Sequence, residues 1–94
     1  MAHDTKEQAT KLLAHITNGD IMNHVRLGQY IILTVHGVHH NGFNVTLHIK
    51  IDIQRQSIDC TADTSENKYL TSKTYHFIKP TFDKLVTQIE KVAA

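Results

Sequence analysis

Two stretches patterned with period two, Val25 to Val38 and Phe43 to Ile53, flank His39-His40-Asn41-Gly42. Asn-Gly between alternating apolar runs is a strong short-range hairpin signal. The segment therefore reads as two antiparallel strands joined by a turn. Its register has two solutions. A two-residue loop, Asn41-Gly42, sets odd residues against even ones and puts Leu33 opposite Lys50 and Ile31 opposite Asp52. A three-residue loop, His40-Asn41-Gly42, sets odd against odd, so that Val35 meets Leu47, Leu33 meets Ile49 and Ile31 meets Ile51. A one-residue slip moves every side chain to the other face, and the apolar pattern selects the second solution. The predicted core face is then Leu27, Ile31, Leu33, Val35, Phe43, Val45, Leu47, Ile49, Ile51 and Ile53. The outer face is Tyr30, Ile32, Thr34, His36, Val38, Asn44, Thr46, His48, Lys50 and Asp52.

Helical periodicity brackets this sheet. Ala9, Leu12, Leu13 and Ile16 form one apolar stripe over Thr5 to Thr17, with Asp4 or Thr5 as the cap and Asn18-Gly19 as the stop, Gly19 supplying a left-handed residue. Phe82, Leu85, Val86, Ile89, Val92 and Ala93 form a second stripe that begins near Pro80. Between the two, a turn over Gln54 to Ser57 leads to a strand with Ile58, Cys60 and Ala62 inward and Asp59, Thr61 and Asp63 outward. Thr64 to Lys68 reads as a loop. Tyr69 to Ile78 is a candidate fourth strand with Tyr75 and Phe77 on one face. Two amphipathic helices must bury their stripes on the apolar side of the sheet. The expected fold is an α+β two-layer sandwich, α-β-β-β-(β)-α, with an antiparallel three- to four-stranded sheet and both helices on one face. The 94 residues make one small domain.

The composition excludes more than it identifies. Ten Lys and Arg against nine Asp and Glu leave a net charge of +1, without the basic excess that marks strong phosphate-backbone binders. One cysteine, Cys60, allows no internal disulfide, which suits a reducing compartment. The polar start, Met1 to Lys6, has no apolar run behind it, and no apolar stretch is long enough to cross a bilayer. The expected location is the cytoplasm, away from membranes. No Gly-rich phosphate loop and no Gly-x-Ser-x-Gly elbow occur, so the expectation is a protein that is not an enzyme and carries no cofactor.

Three surfaces compete for a role. Tyr30, Ile32, Thr34, His36, Val38 and His48 would form a partly apolar outer sheet face of the kind that interface cores use. That face, or an open edge strand, predicts a protein partner, a homodimer, or regulation or inhibition of a larger enzyme. The chain also holds eight histidines, and His36, His48 and Asp63 could meet as a zinc site on the outer face. Asp52 and Asp59 are expected opposite each other on neighbouring strands, an arrangement that could carry acid–base chemistry. Finally, Lys68, Tyr69, Lys73, Tyr75, Lys79 and Lys84 are basic and aromatic residues suited to nucleic acid.

The α-β-β-β-α order resembles that of double-stranded-RNA-binding domains. Lys79-Pro80-Thr81-Phe82-Asp83-Lys84 dilutes the basic cluster which that resemblance requires, and its Gly-rich third-strand exit is missing. The strands ending in Thr74-Tyr75-His76-Phe77-Ile78-Lys79-Pro80 before a helix are similar to single-strand-binding coactivator domains, which implies nucleic acid on a curved sheet.

Overall fold

The structure is a computed structural model and describes residues 3–40, 42–63 and 71–93. Its elements are α1 (Lys6–Asn18), β1 (Asp20–Leu27), β2 (Tyr30–His40), β3 (Phe43–Asp52), β4 (Ser57–Asp63), β5 (Thr71–His76) and α2 (Lys79–Ala93). The five strands form one antiparallel meander in the order β1-β2-β3-β4-β5. The α+β sandwich is as expected, but it has five strands rather than three or four. It therefore departs from the α-β-β-β-α order as well.

The additional strand comes from a second hairpin. Leu27 pairs with Tyr30 across Gly28-Gln29, and Gly28 holds φ at +60°. A positive φ at the first of two loop residues is the pattern of a type II′ turn, whose twist matches the flanking strands. What reads as one long strand from Val25 is thus the end of β1, a turn, and β2. Leu27 consequently lies at the sheet margin and is 57% exposed instead of belonging to the core.

At the turn the expected three-residue loop does not form, because His40 is itself paired; the expected odd-to-odd register holds only farther from the turn. His40 pairs with Phe43 and Val38 with Val45, the even-to-odd pairing of a two-residue loop. Between Val38 and Val35 the register shifts, and from there Val35 meets Leu47, Leu33 meets Ile49 and Ile31 meets Ile51. The shift is a β-bulge at His36-Gly37, with Gly37 at φ +74°. A bulge inserts one unpaired residue and turns the following side chains over. Val38 is therefore in the core, 1% exposed, and not on the outer face. The expectation for the Phe43 side chain lies outside what is described.

One hydrophobic cluster joins the inner faces of β2 to β4 with Phe77, with Ala9, Leu12 and Ile16 of α1, and with Phe82, Leu85 and Ile89 of α2. Ile53 and Cys60 pack against it partly buried. Val92 is exposed, so the α2 stripe ends at Ile89. Thr5 caps α1, its hydroxyl accepting from the Gln8 N–H at 3.2 Å. Asp4 serves elsewhere: its carboxylate accepts from the His76 N–H, and its own N–H donates to the His76 carbonyl. Gly19 stops α1 in extended backbone (φ −107°, ψ 179°), not in the left-handed region expected of it.

Candidate functional site

Residues directly opposite on neighbouring strands share a face. On β1 and β2, Leu27 is opposite Tyr30, Val25 opposite Ile32, Met22 opposite Thr34 and Asp20 opposite His36. On β2 and β3, Ile32 is opposite Lys50 and Thr34 opposite His48. The structure thus gathers Tyr30, Ile32, Thr34, His36 and His48 on one outer face, as the alternation predicts, and removes Val38 from it.

To these it adds Met22, Val25 and Leu27, exposed by 50%, 44% and 57%. Among the described residues they are three of the five large hydrophobics that stand exposed, and all three lie on one face of one edge strand. Tyr30 is half-buried, with the Lys50 ammonium 4.8 Å from its ring centroid. The sequence signal for the three was Leu27-Gly28-Gln29-Tyr30, a weaker hairpin mark than Asn-Gly. The face becomes polar toward β5, where Asp59 accepts from the Thr74 hydroxyl at 2.6 Å.

The histidines do not converge. His48 Nε2 lies 3.0 Å from Asp63 Oδ2, although Asp63 is opposite Thr46 and not opposite His48. His36 Nδ1 instead faces the Thr46 hydroxyl at 3.3 Å. Among the described residues no group of three His, Cys, Asp or Glu side chains is placed to hold a metal ion. On the helical side, His24 Nε2 is 3.0 Å from Glu90 of α2.

Asp52 and Asp59 are not opposite each other. Asp52 pairs with Ser57 and Asp59 with Lys50. Asp52 is buried and organises the end of the sheet. Its Oδ1 accepts from the N–H groups of Gln54 and Arg55 and from the Gln29 side-chain amide, each at 3.1 Å. Burial pushes this carboxyl up, but the Arg55 N–H, the Gln29 amide, the Gln54 N–H and the Arg55 charge outweigh it and hold the group below its ordinary value. It is a turn anchor, tying the Gly28-Gln29 turn to the β3–β4 turn. Burial pushes the Cys60 thiol up to about 11, which disfavours the thiolate at neutral pH.

The basic and aromatic residues are largely engaged. Lys73 lies 3.7 Å from Asp4 and 4.4 Å from the Tyr75 ring centroid. Lys79 pairs with Asp83 at 3.1 Å, and Tyr75 stacks on Phe77 at 5.9 Å. Lys84 sits between the helices. Lys68 and Tyr69 lie outside the described residues.

No helix among the described residues is long and apolar enough to cross a membrane. No family model, no curated protein and no solved structure matches this chain.

Proposed function

We propose that this chain is a non-enzymatic binding domain that engages a protein partner through the outer face of the β1–β2 hairpin, the partner in the simplest case being a second copy of itself. The supporting observation is the exposed row Met22, Val25 and Leu27 beside Tyr30 and Ile32. Interface cores are enriched in aromatic residues and Met and depleted of charge. A twofold contact would let this patch cover its own counterpart.

The face is favoured over the strand edge. β1 carries a bulge between Met22 and Val25, with Asn23 in the left-handed region at φ 57°. Bulges of this kind interrupt the continuous ladder that strand addition needs.

Sedimentation velocity of the wild type and of a Val25→Glu, Leu27→Glu variant tests the proposal, alongside affinity capture from cytosol with each protein as bait. A wild-type dimer that becomes monomeric in the variant supports self-association. A monomer whose captured partner is lost in the variant supports a different protein. Two monomers with identical capture would overturn the assignment of this face.

A further inference from the structure

The two helices start at the same end of the molecule. The Asp4 N–H, just before α1, donates to the carbonyl of His76, just before α2, at 2.7 Å. Between the helices lies a groove of about 660 Å3. Its walls include buried Ala9 and Leu85, half-buried Leu13 and exposed Ile78. Two lysines also line it, Lys6 on the first turn of α1 and Lys84 on α2. Among the described residues no carboxylate lines the groove, and neither lysine is in an ion pair with a described residue. The positive ends of both helix dipoles point to the same end.

We infer that this groove binds a free, single-chain amphiphile: an alkyl tail along the apolar walls and an anionic head between Lys6 and Lys84. Size argues for a small ligand over a protein. The lining spans residues 6 to 13 and 80 to 88, about 10–12 Å of each helix at 1.5 Å per residue. A stable protein contact needs about 800 Å2 from each partner, more than two short helical stretches offer. The volume falls within the roughly 300–1,000 Å3 of small-molecule sites. The charge argues for an anion, because the charged side chains that line the groove, Lys6 and Lys84, are both cationic and an anionic head would complement them.

The test titrates octyl, decyl and dodecyl sulfate, all below micelle formation, with decyl maltoside as the uncharged comparison. Isothermal calorimetry reads affinity and amide chemical shifts locate the site. The expected shifts centre on Ala9, Thr10, Leu13, Thr81, Lys84 and Gln88. Affinity rises up to about fourfold per buried methylene, and decyl sulfate binds about tenfold more tightly than decyl maltoside. A Lys6→Gln, Lys84→Gln variant, its fold checked by an unchanged melting temperature, loses the preference for the anion but keeps the chain-length dependence. Shifts centred on Val25 and Leu27, equal affinity for sulfate and maltoside, or an unchanged preference in the variant would each overturn the assignment.

Discussion

Gly19 offers the sharpest test of the packing. Its backbone is extended, at φ −107° and ψ 179°, a conformation open to any residue, so glycine is not required there by torsion. The requirement is space. A Cβ at Gly19 would lie 2.5 Å from Val35 Cγ1, 2.8 Å from the His36 carbonyl oxygen and 2.8 Å from Val38 Cγ2. All three neighbours belong to β2, and one is backbone that cannot rotate away. Overpacking of this type costs about 1–3 kcal/mol. Alanine recovers about 0.4–1 kcal/mol by restricting the unfolded chain, so Gly19→Ala should lose about 1–2 kcal/mol net. At about 4–8 °C per kcal/mol for a domain of this size, the melting temperature should fall by roughly 5–15 °C. Gly19→Asn separates crowding from capping. A left-handed cap prefers Asn to Ala, whereas a crowded site tolerates the larger Asn less well. Thermal unfolding followed by circular dichroism should rank Gly above Ala above Asn. An alanine variant within about 1 °C of wild type, or Asn melting above Ala, would refute the steric account.

Two further outcomes follow from the register and from Asp52. Leu33 is fully buried, so Leu33→Ala should cost about 2–5 kcal/mol, whereas Thr46→Ala, which loses a partly exposed hydroxyl contact to His36, should stay within about 0.5 kcal/mol. Equal melting temperatures would show the register to be wrong. Because the Asp52 carboxyl is held below its ordinary value, its contribution to stability is complete above the unfolded value of about 3.9 and is lost as pH falls through the folded one. Asp52→Asn should therefore be less stable at pH 7, and its melting temperatures should converge with wild type toward pH 2. Curves that stay parallel would remove the carboxylate from acid unfolding.

The strong periodic signals were legible. The α1 stripe, the α2 stripe as far as Ile89, the antiparallel pairing of β2 with β3, the inward set Ile31, Leu33, Val35, Leu47, Ile49 and Ile51, and the inward Ile58 and Ala62 all stand where periodicity puts them. The departures arise where one residue changes the count. Gly28 reads as part of a long strand because Gly-Gln is a quieter turn than Asn-Gly. Gly37 hides a bulge, so the choice between two registers was posed as exclusive when the chain uses one at the turn and the other beyond it. On the outer face, Tyr30, Ile32, Thr34, His36 and His48 could be read from β2 and β3 alone. Met22, Val25 and Leu27 could not, because their placement depends on a strand whose partner was hidden by the missed turn. Of the expected His36, His48 and Asp63 cluster only the His48–Asp63 contact forms, between diagonal neighbours whose side chains close the distance.

The bulge in β1 gives the exposed apolar row its meaning. Up to Met22 the strand alternates with Ile21 opposite Val35 on the core side and Met22 opposite Thr34 outside. Had that alternation continued, Val25 and Leu27 would turn inward and the Arg26 side chain outward, the arrangement that burial of apolar surface favours. The register shift after Met22 reverses it. Val25 and Leu27 join Ile32 and Tyr30 on the outer face, Arg26 is opposite Ile31, and His24 reaches Glu90 of α2. A left-handed non-glycine residue at Asn23 and an interrupted ladder accompany the change, and neither favours folding. A sequence shaped by stability alone would let local pattern and global fold agree, and departures from that agreement concentrate where a surface is put to use. The same bulge that blunts the β1 edge thus turns Val25 and Leu27 to the outer face of the hairpin, the face on which the proposal above rests.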